Sequence, residues 1–218
     1  SDVYKRQINP GPQGVALSSL PTVEFTWAYA GARFVRQGGS DANTGDSPAN
    51  AWATLGKAAT EATAGQTVYV GAGTYQESIT LATDGTMLSP IRFIADKNGG
   101  YTSDAGEVMI DAAGAGSAVT IDADHNQFVG FTITGSSPGV PAGGGIHVTA
   151  NAQGTVIRGC ELYGNERGVY LGATDDVTIE SNVISNHFGG DALGIWIDGA
   201  TNVPVSYTHL RAHETSEN

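Results

Sequence analysis

Cysteine is nearly missing from this chain: Cys160 stands alone, which excludes an intrachain disulfide framework. Basic residues are scarce as well, 10 Lys and Arg against 22 Asp and Glu, for a net charge of -12. Phosphate binding needs clustered Lys and Arg, so nucleic acid and anionic membrane surfaces are excluded as partners. Long apolar runs are absent, none approaching the roughly 20 residues that span a bilayer, and no membrane insertion is expected. What the chain has in excess is glycine, 31 residues, about twice the usual share of roughly 7% and without a collagen period. Such a chain turns tightly and often, and many short strands are the natural reading.

Both ends read as foreign to the rest. The opening SDVYKRQ (residues 1–7) and the closing stretch over residues 204–218, with VSYTHLRAHETSEN, resemble translated adapter read-through and are set aside from the fold. On that reading the chain is a metagenomic fragment, its signal-peptide status is uninformative, and the repeat array is cut short. Residues 8–33 do not fit the repeat and are either the end of a preceding segment or a linker.

Between them, apolar-x-apolar triplets recur: Val68-Tyr69-Val70, Ile91-Arg92-Phe93, Val119-Thr120-Ile121, Ile146-His147-Val148, Val169-Tyr170-Leu171 and Ile195-Trp196-Ile197. Each is a period-2 strand with its middle residue facing outward. A second ladder, Leu81, Ile110, Ile133, Leu162 and Ile184, interleaves with the first. Both recur about every 22 to 29 residues, a solenoid period. Residues 168–186 show one full coil: Val169 and Leu171, then Val177 and Ile179, then Val183 and Ile184, with Asn182 at a bend that calls for a left-handed residue. The expected architecture is all-β, a right-handed parallel β-helix of three strands per coil and about five to six coils over residues 34–203. A capping α-helix is expected near 51–63, where Trp52, Leu55, Ala59 and Ala62 lie near helical spacing and Gly65 marks a stop.

Three segments carry a more specific resemblance: Gly39-Ser40-Asp41-x-Asn43-x-Gly45, then Trp52-x-Thr54-Leu55-x-x-Ala58, then Val68-Tyr69-Val70-x-x-Gly73-x-Tyr75. Together they resemble the start of bacterial β-helix proteins of the pectate-lyase-like superfamily. The resemblance implies a secreted or cell-surface protein that binds or cleaves an acidic polysaccharide, lyase-like in its reaction. The alternative is a non-catalytic structural or adhesive repeat module, and a glycoside hydrolase is a third reading. Reaction class does not follow from such a fold.

The outward positions of the triplets give the candidate substrate-binding residues Arg92, His147, Tyr170 and Trp196, in line with Tyr69 and Thr120. Aromatic faces stack on sugar rings, and Arg or His binds hydroxyls and carboxylates. Asp175, Asp176, Asp191 and Asp198 cluster near the same strands as candidate Ca²⁺ ligands, since calcium takes 6 to 8 oxygen ligands; ordinary turn chemistry is the competing account. No catalytic residue is assigned. A lyase needs a base, yet Lys57 and Lys97 lie off the triplet strands, and Arg92 and Arg167 are the nearest alternatives. Cys160 is expected as a buried small residue, and His125 and His187 as solvent-facing turn residues.

Overall fold

The computed structural model describes residues 31–137, 143–189, 192–206 and 208–211. After β1 (Ala32–Val35) comes α1 (Leu55–Glu61), and then the chain winds in coils of three strands. These are β2, β3 and β4 (Thr67–Val70, Gly73–Tyr75, Ile79–Leu81); β5, β6 and β7 (Ile91–Ala95, Val108–Asp111, Val119–Ile121); and β8, β9 and β10 (Asn126–Val129, Thr132–Thr134, Ile146–Val148). Next are β11, β12 and β13 (Val156–Arg158, Glu161–Tyr163, Arg167–Leu171) and β14, β15 and β16 (Thr178–Glu180, Val183–Ser185, Leu193–Ile197), followed by β17 (Val205–Ser206) and β18 (His209–Arg211). Every strand pairs parallel with its counterpart one coil away. Sheet A takes β1 and the first strand of each coil, sheet B the second, and sheet C the third.

The interior is a set of apolar columns. Val68, Phe93, Phe128, Ile157 and Ile179 stack inside sheet A, Tyr75, Ile110, Ile133, Leu162 and Ile184 inside sheet B, and Leu81, Ile121, Val148 and Leu171 inside sheet C, all essentially unexposed. Each such side chain contributes roughly 1.5–3 kcal/mol by leaving water. Two expected columns are thereby corrected at their first members. Val70 and Phe93 belong to sheet A, not beneath Ile121, and Leu81 belongs to sheet C, not with Ile110. Tyr69 and Arg92 move with them, onto the outside of sheet A.

In the three coils that begin with β8, β11 and β14 the corner from sheet A to sheet B takes two residues, and the first is left-handed: Gly130 (φ 85°), Gly159 (φ 62°) and Ser181 (φ 57°). The expected left-handed role of Asn182 is therefore wrong by one position. Asn182 turns inward, fully buried; its Oδ1 accepts from the Cys160 amide at 2.9 Å and its Nδ2 donates to the Ile157 carbonyl at 3.0 Å. It satisfies a backbone donor and an acceptor that water cannot reach. Cys160 sits one coil below it, 2% exposed, and burial pushes its thiol up to about 11.

The α1 helix closes one end, with Thr54 as N-cap and Leu55, Ala58 and Ala59 buried. Trp52 precedes the helix rather than joining it. The glycine-rich turn before it exists to hold this indole. A Cβ at Gly39 would lie 2.3 Å from the Trp52 carbonyl oxygen, and one at Gly45 2.4 Å from its ring. The indole Nε1 donates to the Asn43 carbonyl, and Asp41 accepts from the amides of Ala53 and Thr54. Strand pairing continues past residue 203 through β17 and β18, with Leu210 registered on Ile184 yet 58% exposed. Residues 1–30, including the opening segment set aside above, Tyr207 and residues 212–218 fall outside the described residues.

Candidate functional site

On the outside of sheet C, Thr80, Thr120, His147, Tyr170 and Trp196 stand in register on successive coils. The sequence expectation holds for the last three as one line, but the rings are half-buried and turned differently from a stacking platform. His147 and Tyr170 pack face to face, centroids 4.9 Å apart at 25°, and Tyr170 meets Trp196 at 5.4 Å and 57°. Rings that use their faces on each other present their edges to solvent. The column therefore offers two hydroxyls, an imidazole edge, a phenol and an indole, spaced one coil apart. Tyr170 donates its hydroxyl proton to Asp198 Oδ2 at 3.1 Å. Burial first, and then that carboxylate, raise the Tyr170 pKa. Burial lowers that of His147, opposed by the charge of Asp122.

Arg167, from the start of β13, was weighed in the sequence only as a remote base. It lies against this column, its guanidinium carbon 4.1 Å from the Trp196 centroid and 5.9 Å from that of Tyr170. Its Nη1 donates to the Gly143 carbonyl at 3.2 Å and stands 3.6 Å from Glu166 Oε2. Both residues are buried, at 4% and 6% exposure. A desolvated cation against an aromatic face is a stronger contact than its exposed counterpart. Gly168 follows it in close quarters: a Cβ there would lie 2.4 Å from the Gly194 carbonyl oxygen and 2.4 Å from Ile184, so only glycine fits. His187 packs beside Gly168 and is 7% exposed, a correction to its expected place in solvent, and burial lowers its pKa.

The remaining candidates separate. Arg92 sits on sheet A, donating to Gln127. Asp175 accepts from Thr201 Oγ1 at 2.7 Å and Asp176 from Asn202 Nδ2 at 3.2 Å, both at the corner between sheets C and A. Asp124 serves likewise two coils earlier, accepting from the Gln153 amide of the coil that follows it. Asp191 lies outside the described residues. Among the described residues no three His, Cys, Asp or Glu side chains gather as a metal ion requires. Of the described candidates, Asp175 and Asp176 bond within turns and Asp198 bonds Tyr170.

A family described as a right handed beta helix region matches residues 95–215. Among solved structures the chain is similar to an alginate lyase from Paenibacillus sp. str. FPU-7, with 19% identity, a TM-score of 0.57, and coverage of 73% of this chain and 55% of that one. It is similar also to the GH136 lacto-N-biosidase from Eubacterium ramulus (15% identity, TM-score 0.57, 70% and 34% covered) and to a rhamnogalacturonan lyase (14%, 0.51, 84% and 67%). The chain thus spans about half, or a third, of the first two proteins, and at these identities the likeness is one of fold. No curated protein matches the sequence. The family match, the three parallel sheets and the two-residue corners agree: the chain belongs to the right-handed β-helix family.

Proposed function

We propose that this protein is a secreted or surface-displayed carbohydrate-active β-helix that binds an acidic polysaccharide along the outside of sheet C. The observation that carries the reading is the column His147–Tyr170–Trp196 with Arg167 against it. Coils repeat at about 4.8 Å, close to the length of one sugar unit, so a polymer lying along the axis meets one polar ring edge per residue. The Tyr170 oxygen and the Asp198 carboxylate accept from sugar hydroxyls, and His147 offers a further edge. Arg167, buried behind the rings, holds the Trp196 face in place for the ligand. The solved structures similar in fold include polysaccharide lyases, which supports the ligand class.

Binding without cleavage is the second reading, and one observation favours it. Among the described residues neither lysine stands on sheet C: Lys57 pairs with Glu61 on α1, and Lys97 follows β5. Titration calorimetry of oligogalacturonate and oligoalginate against the wild type, Tyr170→Phe and Trp196→Ala tests the site. Loss of the phenol hydroxyl weakens binding roughly fivefold, and loss of the indole weakens it at least as much. Unchanged affinity in both variants overturns the reading. Appearance of the ultraviolet-absorbing unsaturated product would decide for elimination over binding alone.

A further inference from the structure

The outside of sheet A, a third of a turn away from the column just described, carries a different aromatic arrangement. Residues 96–107 leave β5 and fold back over the sheet. The Asp96 carboxylate fixes this segment, accepting from the amides of Gly100, Tyr101 and Thr102 and from the Thr102 hydroxyl, at 2.7 to 3.1 Å. Asp104 fastens its far side through two bonds from Arg36, at 2.6 and 2.7 Å. The result is that Tyr101 lies flat on Tyr69, centroids 3.8 Å apart and planes within 10°. Tyr69 in turn stacks on the buried Phe34. Tyr101 nevertheless keeps 48% of its surface exposed. One face is on Tyr69, so the opposite face is the one left to solvent, held rigidly by a segment that has already lost its freedom.

A charge accompanies it. Arg92 pairs with Thr67 across the strands and so stands one diagonal step from Tyr69 on the same outer face. Its Nε donates to Gln127 Oε1 at 3.1 Å, and among the described residues no carboxylate lies within ion-pairing distance of its guanidinium. In a chain with 22 acidic residues, a half-buried cation left without an acid beside an open, immobilised ring is a site with both requirements of a uronic acid: a flat apolar surface for the C–H face of the sugar and a fork for its carboxylate.

We infer that Tyr101 and Arg92 form a second carbohydrate site, on sheet A, that stacks a single uronate ring and pairs its carboxylate. Tyr69 and Gln127 hold the two groups in place. The ring-edge column on sheet C recognises hydroxyls along a polymer; this platform grips one residue by its face. The inference rests on the carbohydrate reading above only for its choice of ligand.

Hexameric oligogalacturonate and oligoalginate are the probes, with a neutral glucan hexamer as control, titrated against the full chain. In a Trp196→Ala background, Tyr101→Ala lowers the remaining affinity for the anionic probes roughly fivefold, while Tyr101→Phe leaves it unchanged. Arg92→Gln lowers affinity for the anionic probes and leaves that for the neutral one as it was, and this variant retains the segment's own anchors. If Tyr101→Ala and Arg92→Gln bind as the parent does, the platform is refuted whatever Trp196→Ala shows. If only Tyr101→Ala and Arg92→Gln lose affinity, the platform stands and the column on sheet C fails. A wild type that binds neither anionic probe overturns both.

Discussion

Replacing Asn182 with alanine isolates the energetics of the corner between sheets A and B. The side chain is fully buried and bridges two coils, taking the Cys160 amide proton and giving its own to the Ile157 carbonyl. Alanine leaves a buried donor and a buried acceptor unmatched. At roughly 1–3 kcal/mol for each, the loss is about 2–6 kcal/mol. With a urea m-value of about 1–3 kcal/mol/M, the unfolding midpoint drops by on the order of 1–2 M, read by tryptophan fluorescence. Asn182→Asp keeps the acceptor but loses the donor and buries a charge. It is at least as damaging at neutral pH, and it recovers partly on acidification, when the protonated carboxyl again donates. Asn151→Ala is the control: that side chain is exposed and bonds only the Asp122 carboxylate, so its cost stays within about 0.5 kcal/mol. Equal midpoints for Asn182→Ala and Asn151→Ala refute the account of the corner.

The Cys160 thiol, buried and with its pKa pushed up to about 11, is expected to resist thiol reagents until the protein unfolds and to react sooner in Asn182→Ala; rapid labelling of the native wild type contradicts its placement. Gly39→Ala drives a Cβ onto the Trp52 backbone and costs about 1–3 kcal/mol, whereas Gly38→Ala meets nothing within 4 Å and leaves the melting temperature unchanged. Burial lowers the pKa values of His147 and His187 below the usual 6.5, so their contribution to stability is whole above pH 6.5 and is lost as pH falls from there toward the folded values. The double variant His147→Gln, His187→Gln flattens urea midpoints between pH 7.5 and 5.5 if this is right. Tyr69, pushed up to about 12 from 10.0, acts at the other limb: the unfolded chain ionises first, and stability declines as pH rises from 10 toward 12, less so in Tyr69→Phe.

The coil and its cap were legible in the sequence because both are written in local chemistry. Period-2 triplets, the glycines at 145, 168 and 194, and the turn that wraps Trp52 each follow from sterics at one place in the chain. What failed was register in the early coils. Arg92 finds its sheet neighbour Gln127 at a separation of 35 residues, and Asp84 finds Asp124 at 40, because residues 82–90 and 96–107 lengthen that coil. A period of about 22 to 29 residues then aligned Phe93 with Ile121, one sheet too far round, and carried Arg92 into the wrong column. The role of Arg167 was hidden for another reason: it is held by the Gly143 carbonyl and by the Trp196 ring, neither of which leaves a periodic mark. Ring orientation was equally out of reach, since the sequence places Tyr170 beside His147 but does not say which parts of the rings meet.

The two-residue corner also bears on how the molecule carries a load. Even there the coils are joined by backbone bonds, from the amides of Gly130, Gly159 and Ser181 to the carbonyls of Arg158, Glu180 and Ser206. The junction between neighbouring coils is thus an almost unbroken ring of bonds aligned with the long axis. Tension spread over that ring must break many bonds at once, whereas tension applied to a loose chain end peels them one after another. A force applied along the flank of sheet C, across several coils together, pulls in the first manner and meets a stiff rod; a force applied at one edge strand pulls in the second and meets a tape.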